Sequence, residues 1–429
     1  MKKILFASTA LVAVGLVGAD AAQAADPIKL SVGGFSRWWV VGAEQSSNYS
    51  KGLNAADNTG SHGNAGRINT AGIKGDNEIQ FQGSTALDNG LKVGVFVSLE
   101  AGGHTDQTTD LIDSSYAWVE GGFGKVFVGT LKNGAALLHV SAPDAASNFS
   151  EGGMATGNYT ILKPGAVMGM NQRAGYSSST NTTAIITDNK AEKITYVSPV
   201  FGGLTLGATY VPTAISEDNR AQGNARAQAY GVGAGYNRTI GPVGVKLSAG
   251  AVQTILSAGE TFTQYSGGTQ LSYAGFTLGG SYQLARDAIA RSGNVNNGTG
   301  GFNGGVTGVV DLTKNNPLGN TKFDFGGQAF DVGLQYATGP YAVSFAYFHS
   351  ETKGAKADTN ATYRNHGDDT IDFYQASGKY SLSAGIDLLA SVGYAAYESG
   401  LYGYAPAGTT KDTLKNDGYY GMTGLSLKF

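Results

Sequence analysis

The chain has 429 residues, with 29 basic and 32 acidic side chains and no cysteine. A faintly acidic chain without basic blocks excludes nucleic acid as a partner. The 66 glycines lack a collagen period, and 23 tyrosines with 18 phenylalanines are too many for a disordered tail.

Residues 1–24 read as a secretory signal peptide. Lys2 and Lys3 open it, an apolar run follows from Ile4 to Val17, and Ala22-Gln23-Ala24 forms the small-residue cleavage site. Cleavage would leave residues 25–429 with 27 basic and 31 acidic side chains. No later stretch has the length and apolarity of a membrane-spanning helix. Export permits disulfides, yet none can form, so another device must hold the structure.

From there on, period-2 alternation recurs in segments of about ten residues. It predicts strands at 28–41, 73–87, 90–101, 111–121 and 123–130, then at 190–198, 201–211, 228–238, 242–254, 261–273 and 275–286, and finally at 328–337, 341–349, 371–382, 386–397 and 419–429. In LKVGVFVSLE, Leu91, Val93, Val95, Val97 and Leu99 share one face, against Lys92, Gly94, Phe96, Ser98 and Glu100. Short connections rich in Gly, Asn and Pro, such as Asp88-Asn89-Gly90 and Thr338-Gly339-Pro340, suit tight hairpins. They alternate with long ones at 42–72, 102–110, 131–189, 212–227, 255–260, 287–327, 350–370 and 398–418.

An even number of strands, with tight turns at one end and long loops at the other, is the pattern of an outer-membrane barrel. The fold class expected is therefore all-β: a transmembrane antiparallel β-barrel of about 16 strands. Closure pairs every backbone donor and acceptor, which hydrocarbon demands. It also explains the ending GYYGMTGLSLKF. The last strand would pair with 28–41, and Phe429 would lie in a lipid-facing aromatic girdle. The inward face would be wet, leaving a channel, with the glycines serving barrel curvature or contact with a neighbouring subunit.

Two stretches carry a family resemblance. NEIQFQGSTALDNGLKVGVF, residues 77–96, resembles the second hairpin of the general porins of Gram-negative bacteria, in particular proteobacterial members with neisserial-like motifs; Gln82-Gly83-Ser84 stands where Lys-Gly-Ser is commoner. SSYAWVEGGFGKVFVGT, residues 114–130, is similar to the family's fourth and fifth strands, with Thr130 where arginine is common. The terminal Phe429 matches the signal read by the outer-membrane assembly machinery. The resemblance implies a homotrimer of sixteen-stranded barrels in outer-membrane lipid and lipopolysaccharide. Each would pass small polar solutes and ions through its own pore, and a long loop, here 131–189, would fold into the lumen.

A diffusion pore needs a constriction rather than a catalytic group. Inward parity gives Lys29, Arg37, Lys74 and Lys92 water access, together with Glu78 and Glu100. An arginine facing lipid, here beside Trp38 and Trp39, would be costly, which also places Arg37 inward. The resemblance implies that Asp144 and Glu151, on the inward loop, face those bases across a transverse field. The net charge near −4 leans selectivity toward cations. Asp106, Asp110 and Asp113 would be the ligands of any loop-bound calcium, though their spacing matches no defined calcium loop; no other cofactor is expected. The histidines have no metal-ligand spacing, and no nucleophile elbow occurs. The leading expectation is passive diffusion of small hydrophilic solutes through the outer membrane. A substrate-selective porin for sugars, phosphate or small acids comes second, and a surface adhesin barrel third.

Overall fold

The computed structural model describes residues 27–56, 68–102, 112–150, 160–173, 181–187, 191–213, 228–255, 261–286, 289–291, 322–324, 326–353, 367–400 and 411–429. The expected signal peptide and Glu151 lie outside these. Sixteen strands close into one antiparallel barrel. They are β1 (Lys29–Gln45), β2 (Ala71–Ala86), β3 (Lys92–Glu100), β4 (Ile112–Gly121), β5 (Gly124–Thr130), β6 (Lys193–Val197), β7 (Leu204–Val211) and β8 (Gln228–Ile240). The round continues through β9 (Val243–Ile255), β10 (Thr261–Tyr273), β11 (Phe276–Arg286), β12 (Gly327–Thr338), β13 (Tyr341–Lys353), β14 (Asp368–Ser383), β15 (Ile386–Glu398) and β16 (Lys415–Lys428).

Closure comes from β16 pairing with β1, where Phe35 lies opposite Lys428 and Gln45 opposite Gly418. The ladder reaches the last residue: the Gly34 N–H donates to the Phe429 carbonyl at 2.9 Å, and the Phe429 N–H returns a bond at 3.1 Å. A side chain at Gly34 would come within 3.2 Å of the Phe429 ring. Phe429 is 68% exposed on the outer face, with Leu425 and Tyr419. Every tight turn joins the strands at one end. At one of them Ala274 and Gly275 both take positive φ, 48° and 86°, as a two-residue primed hairpin turn requires.

The sequence reading stops several strands short. β1 runs to 45 rather than 41, β13 to 353 rather than 349, and β16 starts at 415 rather than 419. All three differences lie at the long-loop end. There the sheet rises past the hydrocarbon, so the apolar alternation fades, yet backbone pairing continues. Glu398 opposite Lys415 is an example, with an ion pair at 2.7 Å. The loop read at 42–72 contains a helix, Ser47–Ala56, and the loop at 287–327 contains two paired three-residue strands, Ile289–Arg291 and Lys322–Asp324.

The outward residues are Val, Leu, Ile and aromatics. Leu30, Ile73, Val232, Leu278 and Tyr341 are all exposed, which suits a face that meets lipid. The inward face is not uniformly wet. Trp39, Phe348, Phe373, Tyr397, Tyr420 and Met422 point inward and pack with Phe149, Ile161 and Val167 into a buried apolar cluster. The described residues 131–150, 160–173 and 181–187 line this side of the lumen, so that side has a packed core rather than open water.

Candidate functional site: the lumen and its inward segment

Residues 131–150 run along the inner wall and meet it strand by strand. The Gly134 N–H donates to Thr209 Oγ1 on β7 at 2.8 Å, and the Val140 N–H to Ser248 Oγ on β9 at 2.9 Å. Gln270 on β10 donates to the Ser141 carbonyl at 2.7 Å. The Ala142 N–H donates to Asp331 Oδ1 on β12 at 2.9 Å, and the Ala145 N–H to Ser344 Oγ on β13 at 2.9 Å. Asn148 then accepts from Gln375 on β14 at 2.6 Å and donates to Ser391 on β15 at 3.0 Å.

The wall is cut back to receive this segment. A Cβ at Gly233 would lie 2.7 Å from the Gly134 carbonyl oxygen, one at Gly250 would lie 2.8 Å from the Ala135 methyl, and one at Gly268 would strike the Val140 carbonyl. These inward glycines form the seat of the segment. Residues 160–173 return along the same wall, with Leu162 bonded to Gln45 and Asn416, and Met168 to Asp369 and Thr352. Residues 181–187 tie the two arcs together: Asn171 donates to the Ala184 carbonyl at 2.9 Å and Asn133 to the Ile185 carbonyl at 2.7 Å.

Asp331 is the densest anchor. Besides Ala142, its carboxylate accepts from Ser281 Oγ at 2.7 Å and Thr183 Oγ1 at 3.3 Å, so it holds both arms of the segment. Thr183 in turn meets His139 Nε2 at 3.0 Å, while Nδ1 of that ring is shut from solvent without a partner. Desolvation pushes the His139 pKa down to about 4, from an ordinary 6.5. The unfolded chain therefore binds the extra proton between those values, and the seating is fully stable above pH 6.5 and weakens as pH falls toward 4. Open-channel current recorded against pH should be steady at neutral pH and gain flicker over that window, and His139→Gln should flatten the change.

The sequence-predicted residues fall as follows. Asp144 accepts from the Asn148 and Phe149 N–H groups at 2.7 and 3.1 Å and from Ser344 Oγ at 3.2 Å, so its carboxylate turns to the wall that it covers and braces the local turn. Arg37 pairs with Asp76 on β2 at 3.2 Å and lies over the Phe35 ring, 4.5 Å from its centroid. Lys74 lies opposite Trp39. Glu78 lies opposite Glu100, and its carboxylate accepts from Ser98 Oγ at 2.5 Å and Gln80 Nε2 at 3.1 Å. Lys92 lies opposite Glu120, and Lys29 opposite Ser84. Among the described residues Lys29, Lys74 and Lys92 form no ion pair. Of the calcium candidates only Asp113 is described; it accepts from Ser114 at 2.8 Å. No group of three or more His, Asp or Glu among the described residues could hold a metal.

On β1 to β5 charges of both signs lie along the barrel axis: Arg37, Lys74, Asp76, Glu78 and Glu100 toward the long-loop end, and Lys29, Lys92, Lys125 and Glu120 toward the tight turns. Replacing Arg37 by Gln would remove one positive charge from that wall. The reversal potential in a salt gradient should then move toward cation preference.

Solved structures share this architecture at low identity. An anion-selective porin from Comamonas acidovorans matches at 14% identity and a TM-score of 0.53, covering 94% of this chain and all of that one. The channel DcaP of Acinetobacter baumannii matches at 12% and 0.53, covering 95% of this chain and all of that one. A loop-deleted OmpT of Vibrio cholerae matches at 12% and 0.54, covering 94% and 100%. The major outer membrane protein of Pasteurella multocida is 37% identical over 96 residues, which span 22% of this chain and only 27% of that protein. A sequence model of the Gram-negative porin family matches residues 7–400. With most of its length matched and a closed barrel of sixteen strands, the chain is a non-catalytic outer-membrane barrel and belongs to the Gram-negative porin family.

Proposed function

We propose that this porin is a passive channel for small hydrophilic solutes and ions, with 131–189 as its constriction loop. The contrast between the two halves of the inner wall carries this reading. Inward side chains under the segment, such as Gln264, Gln283 and Phe348, are 0% exposed, whereas the Arg37 and Lys125 side chains keep 23% and 30% of their surface in water. The sites at Lys29, Arg37, Lys74, Glu78, Lys92 and Glu100 would set the field on the open side. Asp144 shapes the segment that narrows it, and Glu151 would add charge to the same segment. The stretches 77–96 and 114–130 favour a place among the neisserial-like members.

A homotrimer fits the outer face of β1 to β5. There Ser36 donates to Asn77 at 2.5 Å and Trp38 Nε1 donates to Ser36 at 3.1 Å. Hydroxyl and amide groups on that face suit a protein neighbour better than hydrocarbon. Phe429 offers the assembly machinery an exposed end, and lipopolysaccharide would bathe the long-loop rim. Purified protein in a planar bilayer under a salt gradient tests the reading. Large ohmic steps in groups of three support an open trimeric pore, and a folded barrel without conductance overturns it. Replacing Asn77 by a bulky charged residue should yield single steps of unchanged size.

A further inference from the structure

On the lumen side of β3 to β5, four aromatic side chains stand where the outer face carries valines. Phe96 stacks on Tyr116 at 5.1 Å between centroids, and Phe127 meets Tyr116 edge-on at 5.6 Å. Trp118 lies beside Phe127 in the ladder and over Gly94, whose missing side chain makes room for the indole. Their outward neighbours Val95, Val119 and Val128 are exposed on the other face. All four rings keep partial exposure.

The strip ends in charge at the tight-turn side. Lys125 Nζ sits 3.7 Å above the Trp118 ring and 5.2 Å from that of Phe127, and pairs with Glu120 at 3.3 Å. Lys92 is opposite Glu120, and Lys29 lies on the ladder row of Trp118. Three lysines against one glutamate leave that end positive. Apolar rings facing a wet lumen waste hydration unless something stacks on them. A sugar would need a ladder of hydrogen-bonding side chains that these rings lack, and the lysines disfavour an organic cation.

We infer that this wall is a solute-binding strip for aromatic carboxylates: the ring stacks along Phe96, Tyr116, Phe127 and Trp118, and the carboxylate is held by Lys125 and Lys92. The inference rests on the channel reading for its biological use but binds independently of it. The strip would hold such solutes at the periplasmic side and raise their local concentration in the pore.

Benzoate is the probe, with acetate and benzyl alcohol as controls. In bilayers, benzoate should interrupt the potassium chloride current with saturating noise that acetate does not produce. Phe127→Ala should weaken its binding constant roughly two- to tenfold, with the salt conductance retained as proof of a folded pore. Lys125→Gln should weaken benzoate while leaving benzyl alcohol unchanged. Trp38, Trp39 and Trp118 are the only tryptophans, so in detergent the fluorescence change on adding benzoate should vanish in Trp118→Phe. Equal noise from benzoate and acetate, or a benzoate constant untouched in folded Phe127→Ala, overturns the strip while leaving the channel standing. A barrel that conducts no salt overturns the channel, and the Trp118 fluorescence then decides the strip by itself.

Discussion

Asp331→Ala should release the inward segment and give a larger, noisier channel. The carboxylate accepts from Ala142, Ser281 and Thr183 at a buried point where wall and both arms meet. Its removal strands the buried Ala142 N–H, while the Ser281 and Thr183 hydroxyls still meet each other, and costs about 1–3 kcal/mol. The barrel ladders do not depend on it, so the loss falls on the seat of the segment. Single-channel recordings should show a raised mean conductance with frequent sublevels. Asp331→Asn keeps the shape and some of the hydrogen bonding, and should fall between. A mutant with native conductance and unchanged noise would mean that the glycine contacts and apolar packing hold the segment without this anchor.

The barrel was legible because its signal is repeated. Each spanning strand must alternate for lipid on one side and something else on the other, and each tight turn needs Gly, Asn or Pro. Ser381 to Ser383, where the register shifts between β14 and β15, shows how little one irregular turn disturbs such a pattern. What lies inside the barrel was not legible. The inward residues of β13 to β16 include Phe348, Phe373, Tyr397 and Tyr420, which read like breaks in a polar face until the segment that buries them is in place. The glycines gave the same ambiguity, because a missing side chain does not say which neighbour needs the room.

The candidate charges divide along the same line. Parity placed Arg37, Lys74, Glu78, Lys92 and Glu100 on one face, since that depends only on the strand. The pairing of Arg37 with Asp76 and the turning of Asp144 to Ser344 depend on register and on the path of the segment. No local pattern encodes either. Phe96 stood on the inward face in the alternation, but its partners Tyr116 and Phe127 come from other strands. The aromatic strip therefore exists only once β3, β4 and β5 are in register.

Gly268→Leu should narrow the channel. The carbonyl of Val140 lies against Gly268 so closely that any Cβ would strike it, and Ser281 on β11 flanks the same position at 3.1 Å from such an atom. The wall cannot yield outward, because β10 is held by ladders on both sides. The segment must give way, and its anchors on Ser248 before and on Asp331 after keep it from leaving the lumen. Overpacking of this kind costs about 1–3 kcal/mol, and the displaced backbone moves toward the open half. Conductance should fall while the thermal stability of the barrel changes little. Gly268→Leu combined with Asp331→Ala should reverse the sign: with the anchor gone the same bulk expels the segment, and conductance should exceed that of the unmodified protein. If both variants conduct as the parent does, the segment does not bound the pore, and the wall of β2 to β5 sets the conductance without an opposing surface.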